Sequence, residues 1–403
     1  MKKEFGIVAF LVLVMNMPGM AWGQTASQTP EGILAGSFYL FPVLEIKRRQ
    51  DDNIYALPNG EVNDEITTAK AGVRIASNWS NHMLSLQGGV DLGRFTKETN
   101  EDYTDFSVLA SARIDILRGV NIGANFGMSA LHEDRGSPND LSGSEPTRYG
   151  LVSGGLSFKH EVSALSLHAD IKTEVYSYND TPTSALIDVD QKGRNRIQME
   201  GTTRLSLKIM DLNSFFIQGK YFARDYEFRD KSKYGYDRNS GGYEATLGYK
   251  REFSNTSLME LQFGQRDQQY LDEELPDISG LQITGLLSLN PSPLTHFRLF
   301  VNRSIEETVM SDVSGYFTTN YGVKLDKEFL SIFLMKASYS HNDLDYQGVD
   351  RRDTLKTAEV GLYVFMGSYI SFGASYQNIN RSSTAEGMDY QKSVVMVCLS
   401  GRI

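Results

Sequence analysis

The sequence predicts an all-β fold, a transmembrane antiparallel up-and-down β-barrel of about 18 strands, with 16–20 admissible. Three observations carry this. Apolar and polar residues alternate with a period of two from Ile66 onward, the alternating runs are long, and their connections are short and long by turns.

The alternation is clearest over residues 120–130. Val120, Ile122, Ala124, Phe126, Met128 and Ala130 fall on one face, and Asn121, Gly123, Asn125, Gly127 and Ser129 on the other. A helix would scatter both sets around its circumference, whereas a strand separates them. Residues 165–175 divide likewise, with Leu165, Leu167, Ala169, Ile171 and Val175 against Ser166, His168, Asp170, Lys172 and Glu174. A soluble sandwich would show the same alternation. Length separates the two architectures, because the runs at 82–92, 106–116 and 197–209 cover 11 to 13 residues. Soluble strands centre near about 5–6 residues, while a tilted membrane-spanning strand needs about 9–11.

Connections give the third signal. Eight short turns are expected, among them 80–81, 117–119, 159–161, 290–293 and 326–328, and nine long polar segments, among them 50–65, 132–147, 177–195, 305–314 and 341–352. Short periplasmic turns opposite long extracellular loops are the pattern of outer-membrane barrels. An even strand count puts both chain ends on the short-turn, periplasmic side. Closing the sheet removes the unpaired edges that lipid would not tolerate.

The N-terminus explains how such a chain leaves the cytoplasm. Lys2 and Lys3 precede an apolar stretch from Phe5 to Val14, and the small residues Ala21 and Gly23 flank Trp22. That is the layout of a secretory signal peptide, expected over 1–23, followed by a short periplasmic lead over 24–35 and the barrel over 36–403. The apolar run is too short for a membrane-spanning helix, and the mean hydropathy of −0.33 argues against a polytopic helical protein. A net charge of −10 disfavours nucleic acid as a partner. Cys398 is the single cysteine, so no internal disulfide can form. The 21 Tyr and 21 Phe against 10 Pro suit strands with aromatic girdles, with outer-membrane lipids and lipopolysaccharide as the surroundings.

Chemistry is expected on the inward face. Alternation places Arg113, Asp115, Asp170, Lys172, Glu174, Arg204, Lys220 and Arg224 there as pore-lining candidates, with both signs interspersed. They suit two roles, a cross-strand lattice that stiffens a solvated wall or a polar path that selects solutes by charge. Tyr176, Phe216, Phe222 and Tyr363 share the inward face and are candidates for stacking on sugar rings. Trp79, beside a short turn, reads as an interface anchor. The six histidines come without a serine elbow, a metal-spaced pair or a phosphate loop, so neither a catalytic site, a metal nor a cofactor is expected. His341, near Asp343 and Asp345, is expected in a long loop. The acidic first loop, with Asp51, Asp52, Glu61, Asp64 and Glu65, is expected to be solvated rather than calcium-binding, since it lacks EF-hand spacing.

The order of local motifs adds a resemblance. It runs through Gly36-Ser37-Phe38, Phe41-Pro42 with Glu45, Asp51-Asp52-Asn53-Ile54-Tyr55 and Ser77-Asn78-Trp79-Ser80-Asn81-His82. It continues in Arg113-Ile114-Asp115, Glu133-Asp134-Arg135 with Ser137-Pro138, and Glu145-Pro146-Thr147. In this order the motifs resemble the second β-barrel porin family associated with exopolysaccharide and capsule gene clusters. Lys47-Arg48-Arg49 and the terminal Ile403 depart from its pattern. The resemblance implies an outer-membrane channel near polysaccharide export machinery, giving exopolysaccharide or capsular polysaccharide a passive route outward. A general or sugar-selective diffusion porin is the alternative, and an outer-membrane hydrolase a more distant one.

Cleavage after Gly23 is the first expected outcome. Terminal sequencing of protein purified from outer membranes should begin at Gln24, and a retained apolar leader would contradict the assignment.

Overall fold

The computed structural model describes residues 31–140, 142–182, 188–227, 236–308, 310 and 313–403. Within them eighteen antiparallel strands close into one barrel. Strands β1–β6 are Phe38–Asp51, Asp64–Ser77, His82–Phe95, Tyr103–Leu117, Val120–His132 and Arg148–Val162. Strands β7–β12 are Leu165–Tyr178, Arg196–Met210, Asn213–Tyr226, Ser240–Ser254, Ser257–Tyr270 and Ile278–Ser292. Strands β13–β18 are Thr295–Glu306, Gly315–Phe329, Phe333–Gln347, Arg352–Met366, Ile370–Ser383 and Tyr390–Arg402.

Each strand pairs with its neighbours in sequence, and β18 returns to β1 from Arg402 opposite Val43 to Val394 opposite Asp51. Both ends of the barrel therefore sit at the short-turn rim. Pairing begins earlier than the expected lead boundary, because Ile33–Ala35 runs antiparallel to residues 38–40. The expected signal peptide and its cleavage site lie outside the described residues.

The two faces follow the pleat. Outward rows are apolar across strands: Met128 lies opposite Val108 and Val152, and Leu156 opposite Ala124 and Ile171. Phe126 is 53% exposed on that face, as a lipid-facing side chain of an isolated barrel must be. Inward rows carry Gly, Ser, Asn and charge. Near the short-turn rim, the Trp79 ring meets Phe38 edge-on at 5.6 Å, which places an aromatic pair at the edge of the apolar band.

The strands are longer than alternation alone indicated, and several expected connections are corrected. The segment 341–352 is mostly strand: β15 runs to Gln347 and β16 starts at Arg352, leaving only 348–351 between them. His341 is thus on a strand, 3.0 Å from Asp343 and stacked on Tyr321. Above the apolar band a strand is polar on both faces, so the contrast that reveals a strand disappears. The turns expected at 159–161 and 326–328 fall inside β6 and β14, and the chain reverses at 163–164 and 330–332. Lys159 and Glu161 are charged because they form a 2.8 Å pair at the mouth of the lumen, not because the chain bends there. Ser163, Leu330 and Ser331 take the positive φ of the actual turns.

The expected solvation of the first loop's acids is also corrected. Asp64 is 2% exposed and accepts from the backbone N–H groups of Glu65, Lys97 and Glu98. Asp51 is 3% exposed and pairs with Lys392 at 2.7 Å. These carboxylates tie loop to wall.

Face assignment makes a direct expectation. In a Cys398→Ser background, a water-soluble maleimide should label Asn125→Cys and spare Phe126→Cys in intact outer membranes. Phe126→Arg should impair insertion, since a cation on the lipid face costs about 2–4 kcal/mol near the midplane. Preferential labelling at 126 would reverse the faces.

Candidate functional site

Charge and aromatic rings organise the lumen wall before any loop enters it. Arg113 pairs with Asp115 at 3.0 Å, Lys172 with Glu174 at 2.7 Å, Lys220 with Glu200 at 3.3 Å and Arg266 with Glu244 at 3.4 Å. Arg204 reaches along the wall to Gln218 at 2.8 Å and Glu260 at 2.9 Å. Asp170 lies opposite Ser157 and Thr202. All eight pore-lining candidates named from the sequence face the lumen, and most are engaged with one another or with wall neighbours.

The aromatic candidates are held tightly. Phe216 lies over Gly248, where a Cβ would come within 2.0 Å of the ring, and the Arg204 guanidinium covers it at 4.1 Å. Phe222 is clamped in the same way between Gly242 and Arg266, the latter at 4.1 Å. Arg196 covers Tyr176 at 4.3 Å, and Lys336 faces Tyr363 at 5.5 Å. In this arrangement Phe216 and Phe222 offer no free ring face to a sugar.

Sequence reasoning missed the constriction. Strand β13 pairs with β12 only as far as Asn302 opposite Thr284, whereas its pairing with β14 continues to Glu306 opposite Tyr316. Above Asn302 the β13–β14 hairpin leaves β12 and turns into the lumen. Ile305 and Phe317 on its flank pack against Tyr270, Leu275 and Ile278 of β11, β12 and their loop. Val313, Tyr316, Leu344 and Tyr346 form a second apolar cluster on its other side.

Glu307 fixes the tip. Its carboxylate meets Arg224 at 2.7 Å and accepts from Tyr226 Oη at 2.8 Å and Gln268 Nε2 at 3.1 Å, on β9 and β11. Tyr270 Oη donates to the Ser314 carbonyl at 2.7 Å, and Arg238 donates to the carbonyls of Met310 and Val313. Burial opposes ionisation of Glu307, but Arg224 and Arg196 outweigh it and hold the carboxyl below the usual glutamate range.

From the other side of the mouth comes the loop 133–147. Arg135 binds Glu101 at 2.5 Å and Asp140 at 3.4 Å, and Arg381 donates to the Gly136 carbonyl at 3.2 Å. Arg381 and Arg351 share Asp353, at 2.6 and 2.9 Å. Asn139 Nδ2 then approaches the Glu307 carbonyl to 3.5 Å, so the loops after β5 and β13 meet across the lumen.

The lumen is consequently lopsided. Inward residues of β9–β12, such as Gln218, Glu244, Thr246, Gln262 and Gln268, are buried. Inward residues of β2–β5 are mostly half-buried, with Arg74, Gln87, Ser107 and Asn125 exposed. The less filled wall is that of β2–β5, where Gly72, Gly89, Ser107 and Ser129 form one small-residue row. Arg74 was not singled out from the sequence. Its position opposite Gln87 and Phe41 is set by register, which no local pattern reveals.

Among the described residues, no three His, Cys, Asp or Glu side chains are grouped to hold a metal. His132 is 2.9 Å from Asp105 and stacks on Tyr103 at 4.0 Å.

The family model described as "Putative beta-barrel porin 2" matches residues 26–402. No curated protein sequence matches the chain. Among solved structures, Pseudomonas aeruginosa OccK2 (OpdF) in complex with glucuronate is similar with a TM-score of 0.50 at 10% identity, covering 93% of this chain and 100% of that one. P. aeruginosa OpdO has a TM-score of 0.47 at 12% identity, covering 92% and 98%. The siderophore receptor PirA from Acinetobacter baumannii has a TM-score of 0.47 at 7% identity, covering 90% and 80%. At these identities the likeness is one of fold.

Two outcomes follow from the mouth. Asp353→Ala leaves Arg351 and Arg381 buried without their carboxylate, which should cost about 3–5 kcal/mol and lower the temperature at which the folded barrel loses its compact gel mobility. For Glu307, the depressed carboxyl contributes stability above the unfolded-state value that is lost as pH falls through the folded one. Hydrogen-exchange protection at 313–316 should therefore persist from neutral pH to the ordinary glutamate value and decline only below it. An earlier decline would mean that ionisation of Glu307 does not hold the tip.

Proposed function

The chain therefore belongs to this β-barrel porin family, and we propose that it is a passive outer-membrane channel for small hydrophilic solutes, with both ends of the barrel in the periplasm. The observation that carries the reading is a closed barrel with a polar lumen, narrowed by the hairpin tip held at Glu307 and lined by a row of small residues on its β2–β5 side. Such a wall offers hydrogen bonds without deep binding, which is what passage requires.

The family resemblance also raises polysaccharide export. Loops that meet between Asn139 and Glu307 favour a small solute over a polymer, because a chain of sugars would have to part them. The long loops tie strongly to the wall, through Asp64, Asp353 and Glu307, so parting them breaks several buried contacts at once. Small-solute diffusion needs no such rearrangement.

Reconstitution tests the reading. The purified protein should give stepwise conductance in a planar bilayer, and Glu307→Ala should enlarge the step by releasing the tip. Absence of conductance in both proteins would end the channel reading. In the native host, deletion should impair uptake of a small nutrient and leave surface polysaccharide normal. Reduced surface polysaccharide with continued synthesis would instead favour the export route.

A further inference from the structure

Strand pairing seals the wall of the barrel, as between β4 and β5, which stay in register from Phe106 opposite Ala130 to Leu117 opposite Val120. The seam between β12 and β13 differs. Its last pair is Thr284 opposite Asn302, although residues 278–283 remain paired with β11 and residues 303–306 with β14. Among the described residues no strand pairs with these two edges. The split starts inside the apolar band, because Ile283, beside the last pair, lies opposite Phe263, which is 61% exposed on the outward face. A bare edge in hydrocarbon is strongly disfavoured, since nothing there replaces its hydrogen bonds.

Overlap covers the seam instead. Ile305 and Phe317 continue the outward rows that hold Val301 and Tyr321, yet they pack on Ile278, which shares the inward row of Gln282 and Thr284. Gly280, between Ile278 and Gln282 on that row, lies beneath the Phe317 ring, where a Cβ would come within 2.5 Å of it. Residues of lipid-facing rows thus rest on residues of a lumen-facing row, and apolar contact runs through the wall. The clasp that keeps the hairpin in this position is on the lumen side and polar: Glu307 on Arg224 and Tyr226, and Ser314 on Tyr270.

Arg303 stands at the outward end of the overlap. Its guanidinium covers Phe317 at 4.2 Å and donates to Thr319 at 3.0 Å, while its Nε is enclosed and has no acceptor. The carboxylates around it are engaged elsewhere. Asp343 and Asp345, opposite Thr319 and Phe317, meet His341 and Arg352, Asp267 accepts from Ser279, and Glu306 accepts from Ser304.

We infer that this overlapped seam is a lateral passage between the lumen and the membrane, closed in this structure, for a long-chain carboxylate. The alkyl chain follows Ile305, Phe317 and Ile278 once the Phe317 ring moves off Gly280, and the carboxylate accepts from Arg303. A hydrophilic solute is excluded, because the path is built of aliphatic and aromatic side chains. Displacing one ring makes room suited to a single alkyl chain. Release of the tip at Glu307 is the movement that opens the seam, so one clasp both narrows the water path and shuts the apolar one. The passage goes beyond the hydrophilic-solute channel and does not depend on it.

Cysteine labelling from the bilayer provides the test. In a Cys398→Ser background reconstituted in liposomes, N-hexadecyl maleimide dissolved in the membrane should react several times faster with Ile278→Cys than with Ser107→Cys. Ser107 is exposed in the lumen behind seams that are paired on both sides, whereas Ile278 is buried, so entry through water would give the opposite order. Adding Glu307→Ala should raise the rate at 278 further. Dodecanoate should slow the reaction at 278 more than dodecanol does, and Arg303→Gln should remove that difference. If Ile278→Cys does not assemble, Leu275→Cys in the same cluster takes its place. Labelling at 278 or 275 no faster than at 107 in an assembled barrel overturns the passage, and equal slowing by the acid and the alcohol overturns Arg303 as the head-group contact. Neither result touches the channel reading, which conductance decides.

Discussion

The pairing of β1 with β18, from Val43 opposite Arg402 to Asp51 opposite Val394, is the contact on which the rest depends. Without it, two rows of backbone N–H and C=O groups would face hydrocarbon, and each unsatisfied group there costs several kcal/mol. Closure fixes the even strand count, and with it the meeting of both barrel ends at one rim. It also forces every side chain to one of two destinations. The apolar row of Val108, Met128 and Val152 is then lipid-facing, and the Ser107–Ser129 row beside it faces water.

Pairing is relaxed at one place, and the lumen is shaped there. Above Thr284 and Asn302, β13 gives up its bonds to β12 and keeps those to β14. What replaces them is packing of Ile305 and Phe317 on Ile278 and Tyr270, together with the buried carboxylate of Glu307. A buried charge of this kind is weak as a source of stability but exacting in geometry, since Arg224, Tyr226 and Gln268 must all converge on it. The hairpin tip is thereby held at one position across the mouth. The β9–β12 side of the lumen is thereby buried more deeply than the β2–β5 side.

Glycine and arginine share the work of lining the more deeply buried side. Large rings such as Phe216 and Phe222 can lie flat only because Gly248 and Gly242 sit under them, and the guanidiniums of Arg204 and Arg266 close the upper side. Rings, cations and carboxylates there form a layered wall whose charges are internally matched. On the opposite side of the barrel Arg74, Lys336 and Arg402 lie against the rings of Phe41, Tyr363 and Phe365.

Period-two alternation, strand length and the spacing of turns determined the barrel, its strand number and the inward direction of Arg113, Lys172, Arg204 and Arg224, because each of these depends on neighbours a few residues apart. Strand ends escaped the same reading: His341 lies where both faces are polar and alternation loses its contrast, and the inward Lys159–Glu161 pair looks like loop charge in sequence. The burial of Asp64 and Asp51, the Glu307 clasp, the approach of Asn139 and the cations on Phe41 and Phe365 were decided by tertiary structure alone. Each joins residues from different strands or loops, and their meeting is set by barrel register and closure, quantities that no local stretch of sequence contains.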